Sequence, residues 1–277
     1  MTGSPTVMIV CADFASSGAR RLSPPLYRCY IANIGIKMLS RPEREVADAR
    51  LRSLVPGGKW FGDRRYARKM QRSAEDKRRS DEQLLAAVAA RNRLLLNVGS
   101  SDNVLQGWVN LDIAPGEGIL PMDATRPWPF RDGSAAAVNS EHLIEHLSRD
   151  QALTFLTEAF RVLEPSGSVR ISTPDLEGLV QAYLARDPSA LTTHVSHGYS
   201  ALTFGDMVNN YFYNWDHLRI WDFETLSRVL AGVGFEDVQH ASFNSSKHSV
   251  LDGIDMHDPG SLATMILCVD ARKPSGS

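Results

Sequence analysis

The sequence predicts an α/β protein built on a mostly parallel sheet, and three observations carry that expectation. Between Leu94 and Leu147, three short apolar runs (Leu94–Val98, Trp108–Leu111 and Ala135–Asn139) each end in small or polar residues. Buried parallel strands read this way when their C-terminal ends carry a ligand site. Next, Gln151 to Leu163 has Leu153, Leu156, Ala159, Phe160 and Leu163 at helical spacing, Glu164-Pro165-Ser166-Gly167 turns the chain, and Val169–Thr173 reads as a strand finishing at Pro174-Asp175. Helix, turn and strand are what a crossover between parallel strands requires. Last, Phe235–Phe243 and Ala263–Ala271 alternate or run apolar as two closing strands.

The elements follow in chain order. Val7–Ala12 reads as a short strand, and Tyr27–Leu39 has helical spacing at Tyr30, Ile31, Ile34 and Met38, with Pro24-Pro25 between them. Arg41 to Ser80 is a basic block containing Arg64-Arg65, Arg68-Lys69 and Lys77-Arg78-Arg79, interleaved with Trp60, Phe61 and Tyr66. It reads either as an RNA- or phosphate-binding face or as a solvated helical cap whose partners are Glu43, Glu45, Asp48, Glu75 and Asp76. The interspersed acids favour the cap, so residues 1–80 are expected to pack on the core. Ser80-Asp81-Glu82 followed by Leu84, Leu85, Val88 and Ala89 predicts an N-capped helix leading into the first strand.

Asp102 to Gly107 is too short for a full helix between the first two strands, so a loop is expected there. Leu176 to Ile220 is longer than an ordinary strand-to-helix connection and holds Tyr183, Phe204, Tyr211, Phe212, Tyr213, Trp215 and His217. It reads as a substrate lid, with a second hydrophobic cluster under a loop as the alternative. Asp222 caps a helix through Leu226, Val229 and Leu230, which Gly232-Val233-Gly234 stops. The expected organisation is a cap at 1–80, a core domain at 81–272 with the lid at 176–220, and a frayed tail at 273–277.

Composition excludes more than it identifies. The 277 residues suit one large domain, or one domain with an appendage, and the net charge of -2 gives no global pull towards nucleic acid or membrane. Cys11, Cys29 and Cys268 have no metal-ligand or disulfide-framework spacing, which fits a reducing compartment. No apolar run reaches membrane-spanning length and Thr6–Val10 is too short for a signal-peptide core, so a cytoplasmic location is expected.

The strand ends suit a nucleoside ligand. Gly99 lets backbone approach closely, and Ser100 and Ser101 are small enough to keep that gap open. Asp112 is placed to accept hydrogen bonds from both ribose hydroxyls, and Asp123 from an exocyclic amine such as that of adenine. There is no Gly-x-Gly-x-x-Gly and no Gly-Lys-Ser/Thr, so pyrophosphate and triphosphate ligands have little support.

This order of residues, LLLNVGSSDNVLQGWVNLD followed by Met122-Asp123-Ala124 and Ser140-Glu141-His142-Leu143-Ile144-Glu145-His146, resembles the class I S-adenosylmethionine-dependent methyltransferases, closest to the type 11 group. The resemblance runs from Leu94 to about Asp175, and more weakly to Arg272. It implies a Rossmann-like, mostly parallel seven-stranded sheet with an antiparallel last strand, and S-adenosyl-L-methionine as cofactor with S-adenosyl-L-homocysteine as its product. By position, Asn97, Gly99, Ser100 and Ser101 would lie beside the methionine part. Asp112 with Ile113 would hold the ribose, Asp123 with Ala124 would meet the adenine, and Ser140 with Glu141 would line the cofactor and substrate side. Asn97 stands where the group commonly has an acid, and Ser101 where it has a second glycine.

Methyl transfer from a sulfonium needs alignment and, for a hydroxyl acceptor, a base. His142, next to the fourth strand, is the first candidate, His217 in the lid the second, and His146 the third, four residues after His142 and on the same face if both are helical. Asp175 is placed to accept from a substrate hydroxyl. The His-x-x-x-His spacing invites a zinc reading, but Leu143 occupies the general-base position of that motif, so no metal is assigned or required. The function expected is O-methylation of a small-molecule or sugar-bearing acceptor in secondary metabolism or glycan and glycolipid synthesis. A methyltransferase-fold cyclase, or a non-catalytic binding subunit using residues 41–80, remain as alternatives. No nucleic-acid partner is expected, and a homo-oligomer is left open.

Overall fold

The computed structural model describes residues 64–114, 116–186, 188–196, 200–256 and 265–276. The expected strand at Val7–Ala12, the helix at Tyr27–Leu39, the basic block up to residue 63, Cys11 and Cys29 lie outside the described residues. The chain divides into two compact units, residues 1–73 and 74–277. The sheet and the site belong to the second.

The first described helix, α1, spans Arg64–Ala89. Ser80 therefore lies inside a helix and does not start one, and the boundary expected at residue 80 falls mid-helix. The physical reason is composition: between Arg64 and Ala89 there is no glycine or proline, and Ala, Arg, Lys, Glu and Gln predominate, so helix propensity carries the chain through the serine. Arg78 and Glu82, one turn apart, lie 3.7 Å from each other across it.

Seven strands follow: β1 Leu94–Val98, β2 Val109–Asp112, β3 Ile119–Pro121, β4 Ala135–Glu141, β5 Leu163–Pro174, β6 Glu236–Ala241 and β7 Ile266–Arg272. Their order in the sheet is β3-β2-β1-β4-β5-β7-β6. The pairs β1–β2, β2–β3, β1–β4 and β4–β5 are parallel, whereas β7 runs antiparallel to both β5 and β6. This is the seven-stranded sheet with an antiparallel last strand that the resemblance implied. Strand β3 was not assigned from the sequence: three residues give too little pattern to read. The connection from Asp102 to Gly107 holds turns and no helix, as expected.

The crossover from β4 to β5 uses helix α2, Arg149–Val162. Ser148 and Gln151 form a reciprocal capping box at its start. Its buried face is Ala152, Phe155, Leu156, Ala159 and Val162, so the expected face is rotated: Leu153 is exposed, and Phe155 packs 5.7 Å from Trp128 between ring centroids. The Glu164–Gly167 turn is drawn into β5 as an irregularity, where the register with β4 jumps from Ala135↔Leu163 to Ala137↔Ser168.

After β5 come helices α3 Leu176–Ala185, α4 Pro188–Ser196 and α5 Phe204–Tyr213. They gather a second apolar cluster of Leu179, Ala190, Ala201, Met207 and Met265, with Phe204, Val208 and Tyr211 against it. Helix α6, Phe223–Val233, is capped by the Asp222 carboxylate and ends at Gly234, whose φ of 117° only glycine adopts without strain. Among the described residues no helix is long and apolar enough to cross a membrane.

Candidate functional site

The C-terminal ends of the five parallel strands share one edge of the sheet, and strand order reverses between β1 and β4. Ligands of open α/β sheets bind at such a switch point. Directly below it lies a buried asparagine ladder. The Asn97 amide nitrogen donates to Asn110 Oδ1 and to the Asn103 carbonyl, both at 2.9 Å, and its oxygen accepts from Asn139 Nδ2 at 3.0 Å. The register explains this, since Asn97 stands opposite Asn110 on β2 and Asn139 on β4. The side chain of Asn97 is thus taken up within the sheet, where it ties the following loop at Asn103.

The turn after β1 is shaped by its neighbours. The amides of Gly99 and Ser100 both donate to the Leu111 carbonyl, at 2.8 and 3.1 Å. Gly99 has φ of 74°, and a Cβ there would meet Leu143 at 2.9 Å. The close approach that this glycine permits is therefore that of Leu143. Ser101 is also left-handed, at φ 45°, and its amide donates to Asp112 Oδ2 at 2.9 Å. Asp112 Oδ1 accepts from the Ala114 amide at 2.8 Å. One carboxylate thus spans the ends of β1 and β2, with two of its roughly four lone-pair sites used by these amides. Ile113 is exposed beside it.

Asp123 Oδ1 accepts from the Thr125 amide and hydroxyl, at 2.9 and 2.6 Å. The Thr125 hydroxyl is the chief cause holding this carboxyl below the usual range. Ala124 is buried, and its carbonyl accepts from the Trp128 indole at 3.2 Å. Across the switch point, Ser140 and Glu141 end β4, and Glu141 Oε2 accepts from the Met256 amide at 3.1 Å. The buried hydroxyls of Ser100 and Ser140 meet no hydrogen-bond partner among the described residues.

The histidines do not share a helix. His142 has left-handed φ of 53° directly after β4, and its amide donates to the Ser172 carbonyl at 2.8 Å. Glu145 and His146 follow on the 3-10 turn Ile144–His146. The expected common helical face is corrected accordingly: the chain must reverse from the strand before α2 can begin at Arg149. His142 Nδ1 lies 3.0 Å from Glu145 Oε1, and Thr173 donates to Glu145 Oε2 at 3.0 Å. Burial is the largest influence and would lower the histidine, but Glu145, with Glu141 and Asp255, outweighs it and raises the net value. The same pairing outweighs burial at Glu145, whose carboxyl is lowered.

His217, in the connection after α5, has its ring 4.9 Å from that of His146, and burial lowers its pKa. Asp175 is the N-cap of α3, accepting from the Glu177 amide at 3.1 Å, and burial raises its carboxyl. It lies after β5, as expected, with a structural task of its own. Glu145 was missed by sequence reasoning, although its spacing three residues from His142 was there to be read.

Residues 79–171, about a third of the chain, match a family model described as Methyltransferase domain. The matched segment contains β1 to β4 and most of β5, and with them Gly99–Ser101, Asp112, Asp123, Ser140–His142, Glu145 and His146, whereas Ser172, Thr173, Asp175 and His217 lie beyond it. No curated protein matches the sequence. Among solved structures, the chain is similar to a SAM dependent methyltransferase from Archaeoglobus fulgidus, at 17% identity over 72% of this chain and 94% of that one, with a TM-score of 0.39. It is also similar to Haemonchus contortus phosphoethanolamine N-methyltransferase 2 in complex with S-adenosyl-L-methionine, at 13% identity over 66% of this chain and 49% of that one, TM-score 0.39. The CurJ carbon methyltransferase matches at 10% identity over 67% and 50%, TM-score 0.40. This chain spans about half the length of the last two.

Proposed function

We propose, from a strand-end site that lies inside a segment matching the methyltransferase domain, that this chain transfers a methyl group from S-adenosyl-L-methionine to a hydroxyl of a small-molecule or sugar-bearing acceptor. One observation carries the reading. Gly99–Ser101 and the Asp112 carboxylate are locked together at the switch point, with two buried hydroxyls, Ser100 and Ser140, that meet no hydrogen-bond partner among the described residues. Buried polar groups ordinarily have a partner, so a polar ligand is the natural one here.

The residues present fit the cofactor. Asp112, with lone pairs to spare, would hold the ribose beside Ile113. Asp123 and Ala124 would meet the adenine, and Ser100, Ser101, Ser140 and Glu141 the amino-acid end. Asn97 acts through the Asn103 carbonyl, setting the path of the loop. When bound, the cofactor supplies a methyl group already activated on a sulfonium. The chain's part is alignment and proton removal. His142 would take the acceptor's proton, with Glu145 orienting its ring through Nδ1 and offsetting the charge that develops. Residues 176–220 would cover the acceptor, and the exposed apolar side chains Leu184, Leu202, Tyr213 and Leu218 on that segment suit a partly apolar one. Synthesis of secondary metabolites or glycolipids is the matching context.

Calorimetric titration with S-adenosylmethionine and S-adenosylhomocysteine tests the cofactor site. Binding near the micromolar range, about -8 kcal/mol, is expected for the native chain, weakened more than about tenfold in Asp112→Ala. No heat with either ligand sinks the reading. In turnover assays, one methyl mass added to the acceptor separates transfer from cyclisation. His142→Gln is expected to lower kcat by about 10²- to 10⁴-fold with cofactor affinity unchanged.

A further inference from the structure

We infer that Glu145, His146 and His217 form a binding site for a divalent first-row transition-metal ion of the zinc kind. One ligand atom from each of the three lies within 4.8 Å of the others. A four-coordinate ion with bonds of about 2.0–2.1 Å separates its donors by roughly 3.4 Å, so closing the site needs side-chain rotations of about an ångström.

The backbone brings the two segments together before any ion is present. The amides of Leu218 and Arg219 both donate to the Glu145 carbonyl, at 2.8 and 3.1 Å, which seats the His217 loop directly on the turn carrying Glu145 and His146. The loop reaches that position through two consecutive left-handed residues, Trp215 and Asp216, each at φ 59°.

The donors are oriented as metal ligands are. His217 Nδ1 lies 2.7 Å from the Tyr211 carbonyl. A carbonyl only accepts, so Nδ1 carries the proton and Nε2 presents its lone pair, the tautomer that a backbone partner fixes in metal-ligating histidines. The Glu145 side chain is wholly buried, and its two oxygens are held by His142 and Thr173. A buried carboxylate is stabilised by a paired cation, and a bound metal ion would supply one. Two imidazoles and one carboxylate suit zinc and its neighbours, whereas magnesium and calcium prefer all-oxygen shells. The histidine pair differs from the one that sequence spacing suggests. His146 pairs with His217 across the fold, and His142 supports the carboxylate ligand. Three protein donors leave a four-coordinate ion one place for water or an acceptor oxygen.

The test uses untagged full-length protein, stripped with a chelator and titrated with Zn²⁺ against a chromophoric competitor, with Co²⁺ absorption as a second readout. One ion per chain is expected, with the intense visible bands of tetrahedral Co²⁺. His217→Ala and His146→Ala should each weaken Zn²⁺ by more than about 100-fold, and Thr173→Val by about 10- to 100-fold, as loss of a ligand's supporting partner does. His240→Ala, at an exposed histidine, should change nothing. Circular dichroism and S-adenosylhomocysteine affinity, measured on the same variants, separate loss of the ion from loss of fold or of the cofactor site. Failure of the native chain to bind Zn²⁺ at 100-fold molar excess overturns the inference. So does binding or Co²⁺ absorption that survives in both histidine variants when both are folded.

Discussion

At Gly99 two constraints coincide on one atom that is not there. A side chain would have to adopt a φ of 74° and would drive its Cβ to 2.9 Å from Leu143. The first constraint disfavours any L-residue, and the second is closer than real Cβ contacts allow. Gly99→Ala is therefore expected to cost about 1–3 kcal/mol in urea denaturation and to weaken S-adenosylhomocysteine more than tenfold by displacing the turn from Asp112. Adding Leu143→Gly removes the Leu143 Cβ and branch that the new Cβ would meet but leaves the φ, so the double variant should recover part of the loss. Full recovery would show that packing alone matters, and none that the backbone does. The glycine was legible in the sequence, but its immediate neighbour was not, because Leu143 reaches it from the far side of the switch point. Asn97 shows the same limit. Its position before the glycine was readable, whereas its partners Asn110 and Asn139 are set by cross-strand register, which a single strand's pattern does not encode.

Among the elements, the connection from Ser242 to Met256 is held by a residue that composition alone would not place in a core. Arg170, fully buried on β5, donates to Asp255 at 2.8 and 2.6 Å, to Asp270 at 2.8 Å, and to the carbonyls of Ser242 and Ser245 at 2.8 and 3.2 Å. The connection reaches the site, since the Met256 amide donates to Glu141. Removing the guanidinium leaves two buried carboxylates without their cation. Arg170→Met is expected to cost about 3–5 kcal/mol and to expose residues 242–256 to limited proteolysis before the rest of the sheet. Arg170→Lys keeps the charge but loses the bidentate fork, so it should fall between the two. Equal stability of all three proteins would remove this fastening from the account. Sequence reading located β5 from its apolar run but passed over Arg170, whose partners lie far along the chain. It also started a helix at Ser80, because a serine before an amphipathic run reads as a cap until the uninterrupted helix formers upstream are weighed with it.

For the molecule as a whole, the parallel sheet was legible because its strands are buried on both faces and read as continuous apolar runs. The closing β7 was legible from the apolar run at Ala263–Ala271, whereas its antiparallel direction was anticipated only from family resemblance. What couples that sheet to solution pH is Glu158 on α2. Its carboxylate accepts from the Trp128 amide at 2.6 Å and from Arg161 at 2.9 and 2.7 Å, and Arg161 in turn holds the Trp128 and Phe130 carbonyls at 3.1 and 2.8 Å. The bridge to Asp132 adds little, since that carboxylate is 82% exposed. The Arg161 hydrogen bond is the chief cause holding Glu158 below its ordinary value of 4.5. A carboxyl lowered on folding contributes stability above its unfolded pKa and loses it as pH falls through the folded one. Glu158→Gln should therefore cost about 1.5–3 kcal/mol at pH 7, the range for a hydrogen bond to a charged group. The difference from the native chain should shrink as pH drops below 4.5. Urea denaturation of both proteins between pH 7 and pH 3 measures that difference directly. A gap that stays constant with pH would mean that Glu158 acts through packing, and that its charge does not contribute to holding the Trp128 loop on α2.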